Sequence, residues 1–359
     1  MRDGHARRKL DHLRICAEEA VGAPGSTTGL ESYRLTHCAL PEIAMSQVDL
    51  ETNFLGKRLR APALISAITG GTAKARSINQ HLAQAAQALG LAMCVGSQRA
   101  AIENHRQAST YQVRDVAPDI LLFANLGAVQ LNYGYGLEQC RQAVEMIEAD
   151  ALVLHLNPLQ EALQPEGDTD FSGLLQKIAD LCHRLEVPVV IKEVGWGLSE
   201  TVAQRLAEAG VAALDVAGAG GTSWSEVERH RALTARQERI AADFAGWGIS
   251  TAEAIVKARR GAPNLPLIAS GGIYSGPAAA VALALGSDLV GLARPLLVSA
   301  TVSAQAVQEE LQVLIEGLRI AMFAAGLPDI AALKHAPLEP FTPSKHPLAA
   351  DIAGSRSTA

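Results

Sequence analysis

The chain has 359 residues, 48% hydrophobic and 19% charged, which suits a large buried core and argues against global disorder. A formal net charge of −6 gives no overall attraction to nucleic acid or an anionic membrane, so an anionic ligand would need a local cluster of cations. Five cysteines (Cys16, Cys38, Cys94, Cys140 and Cys182), odd in number and without CxxC spacing, read as reduced thiols in a cytoplasmic protein.

Residues 1–60 read as an N-terminal extension with a basic start, Arg2, Arg7, Arg8 and Lys9; no apolar run follows, so it is not a signal peptide. On a helix, Arg8, Lys9 and His12 would share one turn, either as a cation patch or as a solvated end. Eight short β-rich runs follow, at 61–67, 91–97, 119–127, 151–157, 188–194, 212–218, 266–272 and 289–293. Between them the apolar period is helical: Ile78, Leu82, Ala85 and Leu89 share one face, and Leu137, Cys140, Val144 and Ile147 another. Gly90, Gly210 and Gly286 stand where helices should stop. With aromatics at only 4%, the core must be Ala, Leu, Val and Ile, as in buried parallel strands under Ala-rich helices. This alternation predicts an α/β fold, a (β/α)8 TIM barrel over residues 61–326, with an open doubly wound sheet as the alternative. A charged insertion at 222–249 follows the sixth strand, and residues 327–359 are expected to form a partly disordered tail. The longest apolar stretch, 277–297, is broken by Gly286, Asp288 and Arg294, so no membrane span is expected.

Barrel enzymes build their sites at the carboxyl ends of the strands, and polar or glycine-rich runs gather there. The first three ends read Ser66-Ala67-Ile68-Thr69-Gly70-Gly71, Gly96-Ser97-Gln98-Arg99 and Asn125-Leu126-Gly127. The next three read His155-Leu156-Asn157-Pro158-Leu159-Gln160-Glu161, Lys192-Glu193 and Gly218-Ala219-Gly220-Gly221-Thr222. The last two read Ser270-Gly271-Gly272-Ile273 and Gly291-Leu292-Ala293-Arg294. One such end is ordinary turn chemistry; eight outline a single site.

The last two ends, each followed by a helix, suit a phosphate: glycines let backbone N–H groups approach, and helix N-termini favour negative charge. Two tight turns without a ligand would read the same way. Lys192 sits in an apolar strand after Val189, Val190 and Ile191, where a lysine is costly unless it meets an anion. That anion is either a carboxylate, Glu193 or Asp215, or the edge of a flavin that becomes anionic on reduction. His155, Asn157, Gln160 and Glu161 lie within seven residues; one carboxylate beside amides and an imidazole suits Mg²⁺ shared with substrate phosphates, or a structural cluster.

These residues together resemble the type 2, FMN-dependent isopentenyl-diphosphate isomerases from about residue 7 to residue 325. Arg8-Lys9-Leu10-Asp11-His12 is similar to the family's basic start, which implies that Arg8, Lys9 and His12 bind the substrate diphosphate. The His155-Leu156-Asn157-Pro158-Leu159-Gln160-Glu161 run is the most specific match and implies Gln160 on the substrate and Glu161 on Mg²⁺. The resemblance also places Ser97, Gln98, Arg99 and Asn157 on the substrate, and gives His155 a catalytic role with Gln160. The implied flavin contacts are Ala67, Ile68, Thr69, Ser97, Asn125, Lys192, Thr222, Gly271, Gly272, Ile273, Ala293 and Arg294. Ala217 departs from the serine that many members carry, removing one side-chain contact to the flavin. The resemblance implies a 1,3-allylic interconversion of isopentenyl and dimethylallyl diphosphate in isoprenoid biosynthesis, with reduced FMN as acid and base. NADPH would serve only to reduce the flavin, Glu228 is a candidate acid near the substrate, and the assembly would be a homo-tetramer or octamer. Two alternatives are an FMN-dependent 2-hydroxyacid oxidase and a catalytically silent flavoprotein that binds prenyl diphosphates.

Overall fold

The computed structural model describes residues 2–341, with side chains from Arg8 onward. Eight parallel strands form the centre: β1 (Ala63–Ile65), β2 (Ala92–Cys94), β3 (Leu122–Gly127), β4 (Ala151–Leu156), β5 (Val189–Glu193), β6 (Ala213–Asp215), β7 (Leu267–Ser270) and β8 (Leu289–Leu292). Each pairs with the next, and β8 returns to β1 with Val290 opposite Ala63 and Leu292 opposite Ile65. That last pairing removes the open-sheet alternative and makes the fold a closed (β/α)8 barrel.

Alternation along each short strand divides the core in two. Leu64, Cys94, Phe123, Val153, Val190, Ala213, Ile268 and Leu289 point inward and plug the barrel. Ile65, Met93, Leu122, Leu152, Ile191 and Val290 point outward against the helices. The helix Ala73–Leu89 illustrates the packing: Thr72 caps it by accepting from Ala75 N, Ile78, Leu82 and Ala85 are buried, and Gly90 ends it at φ 65°. A hairpin of Thr52–Phe54 and Lys57–Leu59 brings Phe54 and Leu59 into the inner cluster. Its Lys57 binds Ile120 O and Asp150 at the starts of β3 and β4, so the hairpin closes the end opposite the strand carboxyl termini.

The extension begins with helix α1 (Arg2–Glu18), which lies across the carboxyl end of the barrel. The insertion after β6 is two short helices, Trp224–His230 and Ala235–Asp243, capped by Ser223 and Thr234. Val227 of the first packs on Ile15 and Val21, so extension and insertion meet.

The expected tail starts with regular structure. Residues Ile330–Lys334 form a helix, and Leu338–Pro340 pair antiparallel with Tyr33–Leu35. The extension offers an unpaired strand edge there, and Arg34 and Thr36 both bind Glu339. The rest of the tail, from residue 342, lies outside the described residues.

Candidate active site

The carboxyl ends of the strands open into one cleft, roofed by α1 and by Trp224 of the insertion. Every residue given a binding or catalytic role from the sequence lines this cleft except Gln98 and Glu228. Gln98 is fully buried; its amide donates to Ala143 O at 2.8 Å and accepts from Asn125 N at 2.9 Å. It bonds β3 to the following helix, so its expected contact with substrate is not formed by its side chain. Gln98 lies past the end of β2 and precedes the helix Arg99–Glu103; its side chain turns into the core while Ser97 and Arg99 line the cleft. Glu228 stands one residue behind the surface, 3.0 Å from His12 Nε2.

The floor is a layer of polar groups from successive strands. His155 Nδ1 lies 2.9 Å from Asn125 Oδ1, and Asn125 Nδ2 donates to Cys94 Sγ at 3.5 Å. Burial, aided by Lys192, pulls His155 down to about 4, so its imidazole is neutral. Lys192 Nζ donates to Glu193 O at 2.6 Å, lies 3.8 Å from Asp215 Oδ2, and still lines the cleft. Its carboxylate neighbour is therefore Asp215. The Glu193 carboxylate turns away to accept four backbone N–H bonds, from Val194, Gly195, Trp196 and Gly197 at 2.6–3.1 Å. Asp215 Oδ1 accepts from Ser270 Oγ at 2.6 Å and from Ala217 N at 3.2 Å. The second bond holds Ala217 at φ 36°, an uncommon backbone for a residue with a Cβ, at the place where a serine would offer an oxygen to the cleft.

The glycines after β6 and β7 meet backbone to backbone. Gly271 has φ 105°, and a Cβ there would fall 2.1 Å from Gly218 O; a Cβ on Gly272 would fall 2.5 Å from Gly220 O. Only glycine fits at either position, because the loops after β6 and β7 pack backbone against backbone. After β8, Ala293 precedes the helix Arg294–Val302. The Arg294 guanidinium does something the sequence did not suggest: Nε donates to Cys16 O at 3.1 Å and Nη2 to Glu19 O at 2.9 Å. It ties the end of α1 to the segment after β8.

Above the floor, α1 places cations from the other side. Lys9 Nζ donates to Ser97 O at 3.0 Å and to Tyr111 Oη at 2.7 Å. Arg8 Nη1 donates to Gln164 Oε1 at 2.8 Å. His12 packs edge-on against Trp224, ring centroids 5.0 Å apart. Burial pulls His12 below its ordinary value. Burial opposes ionisation of Glu228, yet His12 and Arg231, whose Nη1 lies 2.5 Å away, keep its pKa below the usual carboxylate value. Arg99 is held by Glu103 at 2.7 Å and Asp168 at 2.6 Å, so an incoming anion must draw it from two carboxylates.

Glu161 is buried and bonded at both oxygens, to Asn157 Nδ2 at 2.8 Å and Asp168 N at 2.8 Å. Burial raises its pKa. No group of three or more His, Cys, Asp or Glu among the described residues could hold a metal by itself, so a cation at Glu161 would need further ligands from outside the protein. Two cleft atoms, Ser66 Oγ and Asn157 Oδ1, are buried without a partner, as expected where a polar ligand completes the bonding.

Tyr111, Gln164 and Asp168 were missed as site residues in the sequence, which named Asp215 only as a possible partner of Lys192. Asp168 follows Glu161 by seven residues in a turn-rich stretch, which is a weak signal; Tyr111 carries none.

The model of the family FMN-dependent dehydrogenase matches residues 2–116 and 141–340. The isopentenyl-diphosphate delta-isomerase of Stutzerimonas stutzeri is 56% identical over 332 residues, 92% of this chain and 96% of that protein. The enzyme of the same name from a Nostoc species is 54% identical over 328 residues, 91% and 94% of the two chains. Among solved structures, a mandelate oxidase covers 92% of both chains at 17% identity with a TM-score of 0.63. A lactate oxidase of Pediococcus acidilactici covers 93% of this chain and 94% of its own at 19% identity with a TM-score of 0.64, and both likenesses speak to fold alone. The chain belongs to the FMN-dependent dehydrogenase family and, within it, to the type 2 isopentenyl-diphosphate delta-isomerases.

Proposed function

We propose that the protein interconverts isopentenyl diphosphate and dimethylallyl diphosphate by a 1,3-allylic proton shift in isoprenoid biosynthesis. One observation carries the reading: the basic residues Arg8, Lys9 and His12 and the glycines Gly271 and Gly272 line the same cleft. Two separate anions, a cofactor phosphate and a substrate diphosphate, fit that arrangement.

The residues of the floor fit FMN. The backbone at Gly271, Gly272 and Ile273, with that of Ala293 and Arg294, would take its phosphate. Ala67, Ile68, Thr69, Ser97, Asn125 and Thr222 would border its ring, and Lys192 would meet the edge that gains charge. Reduced FMN, when bound, supplies the electron-rich surface and the proton relay that the alkene requires. NADPH would serve only to reduce it.

The protein's own groups bind, orient and exclude water. Arg8, Lys9, His12 and Arg99 would hold the diphosphate, Arg99 leaving Asp168 and Glu103 to do so. Glu161 would hold Mg²⁺ together with diphosphate oxygens. Asn157 and Gln160, already 3.1 Å apart, would fix the substrate over the neutral His155 ring. Glu228 would act through His12, orienting the imidazole and stabilising its charged form, without touching the substrate. Trp224 and α1 close the cleft against water, which a tertiary cation needs.

The hydroxyacid-oxidase alternative needs a base and an arginine after β6, and Gly218-Ala219-Gly220-Gly221-Thr222 supplies neither. Five free cysteines support a cytoplasmic setting, and exposed Val298, Val302 and Val313 support association between copies. The test is the absorption spectrum of purified protein, then anaerobic photoreduction with isopentenyl diphosphate and Mg²⁺. A yellow protein that then forms dimethylallyl diphosphate without stoichiometric NADPH is expected. Colourless protein that takes up no FMN would end the proposal.

A further inference from the structure

Tyr111 joins three parts of the cleft that are distant in sequence, and none of the roles above uses it. The side chain is fully buried. Its hydroxyl accepts from Lys9 Nζ at 2.7 Å and donates to Ser97 O at 2.8 Å. The ring cannot drift: a Cβ on Gly70 would fall 1.9 Å from Tyr111 Cε1, so the β1 loop is moulded around it. Next to it, Thr110 Oγ1 accepts from Gly71 N at 2.8 Å. A lysine has a long flexible stem, and holding its head in one place costs rotamer entropy unless a rigid partner receives it. A phenol wedged between two strand-end loops is such a partner.

We infer that Tyr111 is a positioning residue that holds Lys9 charged and aimed into the cleft for the diphosphate. The inference rests on the proposed function only in taking the α1 cations as the diphosphate site. The charged groups facing Lys9 are Arg8 on the same helix, and Arg99 and Glu103 on the helix Arg99–Glu103. Burial, then Arg8, pulls Lys9 down to about 7, so the ligand-free ammonium is poorly held near neutrality. The phenol oxygen, as acceptor, favours the charged form; a phenyl ring cannot.

The experiment is calorimetric titration of the flavin-loaded protein with inorganic pyrophosphate from pH 6 to 9. It compares the native chain, Tyr111→Phe, Lys9→Met and the double variant. Phenylalanine keeps the fit against Gly70, and Ser97 O keeps its bond from Lys9, so folding and flavin content are expected to be unchanged. In the native chain, affinity is expected to fall as pH rises through about 7, because the ammonium is lost. Tyr111→Phe should weaken binding at pH 7 by about tenfold and move that fall to lower pH. On the Lys9→Met background the same change should cost less than about twofold. An equal loss on both backgrounds, or an unmoved pH onset, overturns the assignment. A native chain that binds flavin but no pyrophosphate overturns the diphosphate reading itself, and this inference with it.

Discussion

Replacing Arg294 by methionine separates the two uses that sequence and structure give this residue. Its guanidinium donates to Cys16 O and Glu19 O, carbonyls at and just beyond the end of α1. Helix ends leave carbonyls unpaired and carry partial negative charge, so a cation there both satisfies and stabilises them. Hydrogen bonds to charged groups contribute roughly 1.5–3 kcal/mol each. The side chain is half-buried, so the low end applies to both, about 3 kcal/mol for the pair. Methionine keeps most of the stem packing and removes only these bonds. The loss falls on the docking of α1, which carries Arg8, Lys9 and His12. At about 1.4 kcal/mol per tenfold, affinity for inorganic pyrophosphate should fall between about 10- and 100-fold by calorimetry. Flavin content should stay at the native level, because the Gly271–Gly272 backbone is untouched. A variant that binds pyrophosphate normally and loses flavin instead would refute the docking role and return Arg294 to the cofactor.

Glu161→Gln should abolish Mg²⁺-dependent turnover and Mn²⁺ binding followed by electron paramagnetic resonance, while the protein stays yellow; normal turnover would defeat the metal assignment. Because burial raises the Glu161 pKa, metal affinity in the native chain should fall with decreasing pH sooner than at an ordinary glutamate near about 4.3. Lys192→Met should weaken FMN binding by roughly tenfold or more, or lower the flavin potential, since a positive charge favours the electron-rich form; an unchanged affinity and potential would remove Lys192 from the flavin. Gly271→Ala should destabilise the fold by roughly 2–4 kcal/mol in urea titrations and release flavin, since the new Cβ meets Gly218 O at an unfavourable φ.

The barrel was legible because its signals are local. Alternation, helix period and glycine stops are properties of neighbouring residues, and each of the eight runs contains the strand found there. Strand ends carry the site for the same reason, since a motif such as Asn157-Pro158-Leu159-Gln160-Glu161 is contiguous. What escaped depends on contacts across the chain. Tyr111 meets Lys9 across 102 residues, and Arg294 meets Cys16 across 278. No spacing rule links such pairs, so the position of Arg294 after β8 points to the phosphate, while its guanidinium is engaged by carbonyls at the end of α1. Gln98 lies between the end of β2 and the helix Arg99–Glu103, where neither the strand nor the helix period fixes which way a side chain points. The strand at 338–340 was missed because its partner edge, 33–35, lies at the far end of the sequence.

The two halves of the cleft are built to different standards of rigidity. The floor hangs on the barrel: Asn125, His155, Lys192 and Asp215 each sit on a strand hydrogen-bonded on both sides, over a fully apolar plug. The roof has little of that. Its apolar anchorage is Leu13 in the main core and the small cluster of Ile15, Val21 and Val227; the rest is polar, Arg8 to Gln164, His12 to Glu228 and Arg294 to two carbonyls. Elements with few buried apolar contacts open at a lower free energy than the core they rest on. A ligand that touches both halves then does more than add contacts, since it ties the less stable layer to the more stable one. On the proposed function, a diphosphate held by α1 over a cofactor on the floor would close the cleft by being bound, and the cations that recognise it would exclude the water that would quench the chemistry.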